Sequence, residues 1–495
     1  MRTRRSTLCW AVPSSPPRRS DPPGFDREPD SERPAISGTP HSARNELRRA
    51  LWRVHFYAGM LTMPVLVLLA NTGIVMLYGD SITRWLDPDV RSVEVRSTET
   101  SLDAQLAAVQ ARFPTGAVRE IKTATTPTSP TVFLISGTEQ DELVFVDPYD
   151  ARVLGSRTTG TGAVQLATRL HAFLDVDAPI VSIPTVAALF DDGPGTIPIS
   201  LSDAALEITA GWAIVLVASG VILWRRPRDR RARGVSSRRS FWRRAHATPG
   251  IVLAAGLMVS LLTGMLWSTY WGATWRRIAD AATPNQPFRA PDSTMSMMGM
   301  DGDHGSMAMA PITLNTVAAT AAELGLDAGY SIVLPRDGAA PDGSPTFGTF
   351  ELRVDWPTRV SQNRSYYIDQ FDGALLSVRT TDQLGALATV SEIGKQTHVG
   401  VQFGVVSRVL LTFVCLAVDW SAMSALAMWL RRRSRSGGLA LPRRPVTTTQ
   451  VRQLRSAAVV MGVVFPLWGA SALALWALDV AVIRRVRRPR HRPER

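Results

Sequence analysis

Four of the seven histidines in this 495-residue chain stand in two matched settings. His55 and His246 are each followed by glycine four residues on (Gly59, Gly250) and by Thr-Gly at seventeen and eighteen (Thr72-Gly73, Thr263-Gly264). His171 and His398 each precede a later apolar run. Imidazole is a standard axial ligand for haem iron, and bundle interiors are usual places for such a cofactor. A bis-histidine haem needs two imidazoles from different elements facing each other. Two similar halves would supply that twice, so the expectation is two haems, one near each membrane face, with His55, His246, His171 and His398 as axial ligands. Arg53 and Arg244 lie two residues before their histidines, where they could pair with haem propionates. The competing reading is that a histidine flanked by Trp and Arg at a helix end anchors it at the interface. Duplication at one spacing weighs against that. Gly59 and Gly250 would let a flat macrocycle or a neighbouring helix approach, and the two Thr-Gly pairs read as helix-packing positions.

Two further features could do chemistry. Asp419 interrupts an apolar run, and an intramembrane carboxylate is costly enough to be a functional candidate by default. Its alternative is a hydrogen bond to a neighbouring helix. The segment MSMMGMDGDHGSMAM carries Met295, Met297, Met298, Met300, His304, Met307 and Met309 in a Gly/Ser-rich context. Thioether sulfur is a soft ligand that selects Cu(I), which makes this a candidate copper site; a low-complexity linker that scavenges oxidants is the alternative.

The elements that must position these groups follow from hydropathy. Five apolar runs are long enough to cross a bilayer: Phe56–Gly79, Ala204–Trp224 with Glu207 at its outer edge, Ala247–Trp275, Val409–Leu430 interrupted by Asp419, and Ser456–Leu478. Backbone in lipid must satisfy its own hydrogen bonds, so these are helices. Arginines crowd 44–53, 224–244 and 431–444, which places those segments and the N-terminus in the cytoplasm and the two long loops outside. Five spans would leave the Arg-rich tail from Arg484 outside, against the same rule. The net charge of +13 thus reads as a topology signal, not as nucleic-acid binding. Cys9 and Cys415 fall in a tail and a span, so no structural disulfide is expected. The expected order is a disordered tail (1–44), a first span (45–79), a first outer domain (80–203), a second span (204–224), a basic loop (225–246) and a third span (247–275). A second outer domain (276–402) with the Met-rich insertion (295–309), a fourth span (403–430), a basic loop (431–455), a fifth span (456–483) and a basic tail (484–495) complete it.

The outer loops repeat as well. SLDAQLAAVQARF has helical spacing and leads to TVFLISG and ELVFVDPYDARVLGSR, which alternate like strands of a hairpin. TLNTVAATAAELG, FGTFELRVDW and SYYIDQFDGALLSVRT repeat the pattern. The fold class expected is an α-helical integral membrane bundle of about five transmembrane helices with an internal repeat, bearing two small α+β extracytoplasmic domains. With VFVDPYDARVLG and YYIDQFDGALLS at their ends, these domains resemble PepSY domains. The histidine-glycine-threonine-glycine helices resemble those of the PepSY-associated transmembrane, or iron-regulated membrane protein, family. The resemblance runs over roughly residues 45–485. It implies an inner-membrane protein of iron acquisition, and some members resemble ferric-siderophore reductases with haem b between their helices. The first half departs from the pattern: IVSIPTVAALFDDGPGTIPIS separates His171 from its span, which puts that ligand in doubt.

Three functions remain open at this stage. One is a haem-dependent membrane reductase of an extracytoplasmic ferric chelate. Nothing resembles GxGxxG after a strand, so its electrons would come from a membrane quinol or a separate reductase. Another is non-enzymatic copper or iron handling or transport. The third is regulation, because PepSY domains are associated with peptidase inhibition; no HExxH or well-placed GxSxG occurs.

Overall fold

The computed structural model describes residues 40–487, apart from 137–139, 173–177, 186–194, 226–237, 294–309, 327, 342, 437–441 and 443–444. The N-terminal tail before residue 40, the Met-rich segment with its candidate copper ligands, and the end of the basic tail lie outside the described residues.

In the first half, α1 (Pro40–Leu77) leads into two short helices, α2 (Gly79–Leu86) and α3 (Pro88–Arg91). Next come α4 (Leu102–Arg112) and strands β1 (Ala117–Lys122), β2 (Thr131–Ser136), β3 (Glu142–Val146) and β4 (Val153–Thr158). Helix α5 (Ala163–Ala172), the hairpin β5 (Pro179–Pro184) and β6 (Thr196–Ser200), and α6 (Leu201–Trp224) close the half. The second half opens with α7 (Arg238–Val252), α8 (Ala254–Gly264) and α9 (Thr269–Ala282). It continues through α10 (Leu314–Glu323), β7 (Tyr330–Val333), β8 (Gly338–Ala339), β9 (Pro345–Thr346), β10 (Thr349–Val354), β11 (Arg364–Asp369) and β12 (Leu375–Thr380). It ends with α11 (Ala386–His398) and α12 (Val405–Ser436); α13 (Thr449–Val464) and α14 (Pro466–Arg487) follow.

Among the described residues three helices are long and apolar enough to cross a membrane: Arg44–Leu77, Leu201–Trp224 and Val405–Arg433. Phe241–Val252 and Ala254–Trp267, bent by 56° at the break between them, meet the same length and hydropathy test only as a pair, and taken as one span would make a fourth crossing. Pro249 lies inside the first of these helices, four residues before the break at Leu253. It has no N–H for the Ala245 carbonyl one turn back. The indole of Trp420, on α12, donates to that carbonyl instead, at 2.8 Å. A neighbouring helix thus re-satisfies a backbone group that lipid could not.

The fifth expected span is corrected. It breaks at Phe465–Pro466 into α13 and α14, which fold back as a hairpin. A Cβ on Gly469 would stand 2.7 Å from the Gly462 carbonyl oxygen, so only glycine allows the arms to meet this closely. Both ends of the hairpin return to the start of α1. The Val446 amide donates to Glu46 (2.7 Å), and Asp479 pairs with Arg53. The tip reaches the other end of the bundle, where Phe465 lies 4.8 Å from Trp271. The end of α14 therefore returns to the side of the basic segment that opens α1.

The outer loops form two four-stranded units, but not two separate domains. Strands β1 and β7 pair antiparallel, with Ile121 opposite Ile332, giving one eight-stranded sheet in the order β12-β11-β10-β7-β1-β2-β3-β4. Each unit alone would present an open strand edge; joining removes both. One core fills the face under α4 and α10, with Val109, Ile121, Phe133, Val317, Ile332 and Leu352 buried. The helices also cap each other. Ser101 and Thr313 are the N-caps. Asp103 accepts from the Leu314 and Asn315 amides (2.8 and 3.2 Å), while Asn315 Oδ1 accepts from the Asp103 amide (3.4 Å). The repeated Asp-turns close the same way: Asp147 accepts from the Tyr149 amide and Asp369 from the Phe371 amide, at 2.9 and 2.7 Å.

Glu207, on α6, shows how one carboxylate is buried. It accepts from the Tyr270 and Trp271 amides (2.8 and 3.1 Å) at the N-terminus of α9, where the helix dipole favours negative charge.

Candidate functional site

The repeat-related histidines meet in pairs, one from each half. At the basic end His55 (α1) faces His246 (α7), ring centres 6.2 Å apart and planes at 77°. At the sheet end His171 (α5) faces His398 (α11), at 6.1 Å and 63°. The segment between His171 and α6 forms the β5–β6 hairpin and leaves His171 opposite its counterpart.

One device orients all four rings. Each Nδ1 meets a backbone carbonyl on a neighbouring helix and the hydroxyl three residues further on. His55 Nδ1 lies 3.1 Å from the Leu216 carbonyl and 3.1 Å from Ser219 Oγ. For His246 the partners are the Ser421 carbonyl (3.1 Å) and Ser424 Oγ (3.2 Å). For His398 they are the Ser260 carbonyl (3.0 Å) and Thr263 Oγ1 (3.4 Å). For His171 they are the Leu69 carbonyl and Thr72 Oγ1 (3.1 Å). A carbonyl can only accept, so Nδ1 carries the hydrogen and Nε2 keeps its lone pair. The protein thus fixes the tautomer that a metal requires.

The next residue in each motif is small: Gly220, Ala425, Gly73 and Gly264. A Cβ at Gly220 would lie 3.2 Å from His55 Cε1, and one at Gly264 would lie 2.8 Å from His398 Cε1. The imidazoles therefore rest directly on helix backbone. Thr72-Gly73 and Thr263-Gly264, read from sequence as packing positions, are in fact seats for histidines. Ser219 and Ser424 were not identified from sequence. Their signal is a small pair, Ser-Gly or Ser-Ala, standing five residues before Trp224 and Trp429.

The surroundings differ between the two ends. Trp267 stacks 5.4 Å from His398 at the sheet end. Burial pushes His398 down to about 4, helped by His171, and lowers His171 as well, so both imidazoles are neutral near pH 7. At the basic end Arg432 sits over Trp52 (4.5 Å) and Arg431 over Trp242 (5.2 Å), so the end of α12 lies against both α1 and α7. Arg53, expected on a propionate, instead pairs with Asp479 and donates to the Pro442 carbonyl. Arg244 is exposed. Asp419 accepts from Asn71 on α1 (3.1 Å), which is the helix-to-helix hydrogen bond that was its alternative reading.

The pairs fit a group that takes two imidazoles. A metal-bound imidazole nitrogen lies about 2 Å from the metal with the ring centre roughly 1 Å behind it, so two rings clamping one atom stand about 6 Å apart. One turn beyond His246, a Cβ on Gly250 would meet nothing within 4 Å, leaving room beside that ring. Among the described residues no three His, Cys, Asp or Glu side chains converge as a metal site. A search of curated proteins gives no match. The family model described as the PepSY-associated TM region matches residues 52–432, from just before His55 to near the end of α12, and the chain belongs to that family.

Proposed function

We propose that the chain is a two-haem membrane electron carrier that reduces a ferric chelate on its sheet side. The observation that carries this reading is the pair of two-histidine sites at one ring separation, one at each end of the bundle, each with Nδ1 tied down. His55 and His246 would hold one haem, and His171 and His398 the other. Bis-imidazole haem b supplies one-electron transfer. The residues around it orient the ligands: Ser219, Ser424, Thr72 and Thr263 with their carbonyls hold the rings, and the small residues beside them admit the imidazole edges. With the basic end in the cytoplasm, electrons enter from a quinol or a separate reductase and leave at the sheet end. There one electron turns ferric iron into ferrous iron, whose lower charge weakens its hold in a hard-oxygen chelator.

The test is a spectrum. Purified in detergent after expression with ample haem, the protein should show a Soret band that shifts on dithionite, with two haems per chain. His246→Ala should remove one of them and His398→Ala the other. A colourless wild-type protein would overturn the reading. Colourless protein that retains copper would support the metal-handling function; protein with neither would leave the regulatory one.

A further inference from the structure

We propose that Asp479, on the last helix, is a positioning residue for the histidine pair at the basic end: through Arg53 and Tyr57 it braces the turn of α1 that carries His55. The inference rests on the two-haem reading above and extends it to a part of the chain, α13 and α14, that lies beyond the family match at residue 432.

Arg53 and Tyr57 flank His55 and are one turn apart. At about 100° per residue they share a face of α1, and His55 points to the opposite side. A contact on that face therefore stands behind the imidazole. Asp479 supplies it. Its Oδ1 accepts from the Tyr57 hydroxyl at 2.9 Å and from Arg53. Arg53 also donates to the Tyr57 oxygen (3.1 Å) and lies 5.1 Å from its ring centre. Its other amino group reaches the Pro442 carbonyl, just ahead of α13. The Arg53 and Asp479 side chains are 12% and 14% exposed. Such a buried pair tolerates poorly the loss of one partner, because the other charge is left uncompensated.

The second half braces its histidine differently. Arg244 is exposed, and α7 is held at Ala245 by the Trp420 indole. Elsewhere the hairpin packs through apolar and neutral contacts, such as Trp468 on Trp212 (5.2 Å) and Ser471 accepting from the Trp212 indole (2.9 Å). Asp479 brings a charge of the hairpin onto the turn of α1 that carries His55.

Potentiometric titration of the full-length, haem-loaded protein tests this, with Asp479→Asn and the exchange Arg53→Asp/Asp479→Arg. In Asp479→Asn an uncompensated Arg53 cation stands beside one haem only. One of the two midpoint potentials should rise while the other stays, and the exchange should return the first toward wild type. A purely structural hairpin would instead disturb both potentials, or lower haem content at both sites, in every variant, and that result overturns the inference. So does Asp479→Asn with both potentials unchanged. A wild-type protein without haem overturns the two-haem reading and this inference together, which separates the two failures.

Discussion

At the scale of single residues, the hydrogen bond behind each imidazole matters as much as the imidazole. A carbonyl three residues before a Ser or Thr accepts from Nδ1 at all four histidines. That makes the orientation of each imidazole a property of the fold itself. The same scale holds a small defect. Asp147 and Asp369 open equivalent turns, and the fifth residue of each is left-handed: Gly373 at φ 78° but Ala151 at φ 57°. A side chain at that conformation is strained, whereas glycine is not. Ala151→Gly should therefore stabilise the sheet by roughly 0.5–1 kcal/mol, the cost of the left-handed alanine less the added chain entropy. Thermal melts followed by proteolysis of the sheet region would read it; a lower melting temperature would contradict it.

At the scale of elements, α7 takes a hydrogen-bond donor from another helix. Pro249 leaves the Ala245 carbonyl without its usual amide, and Trp420 completes it. Trp420→Phe keeps most of the packing and removes only that donor. It should cost about 0.5–1.5 kcal/mol, the net worth of one intramolecular hydrogen bond at a partly exposed site. Since Ala245 adjoins His246, the haem proposed for the basic end should also dissociate faster than in wild type, whereas Trp420→His, which restores an N–H, should recover part of the loss. Equal haem retention in the Phe variant would show that α7 keeps its course without the indole.

For the whole molecule, the C-terminal hairpin decides topology. Because α13 and α14 both return to the start of α1, single cysteines placed at Arg48, Arg452 and Arg487 in a chain with Cys9 and Cys415 replaced should react with an impermeant thiol reagent from one and the same side. Labelling of position 487 from the opposite side would restore the single straight fifth span. The sheet makes the same point about scale. The helix-strand-turn-strand pattern of each outer loop was legible, since it repeats within a short stretch. That the two units share a sheet was not, since the β1–β7 contact joins residues more than two hundred positions apart.

What this sequence determined by itself is whatever depends on local periodicity: the apolar runs, the duplicated His-Gly-Thr-Gly spacing, the paired strand-turn-strand endings, and hence the membrane family. Tertiary structure alone decided which ring faces which, that the last apolar run folds back at Pro466, that Arg53 answers to Asp479, and that Ser219 and Ser424 stand behind imidazoles. Local runs are specified by neighbours a few residues apart, through hydrogen bonding and burial that each segment settles for itself. Partners drawn from different helices are specified only when the whole bundle excludes the alternatives, and no short stretch carries that information.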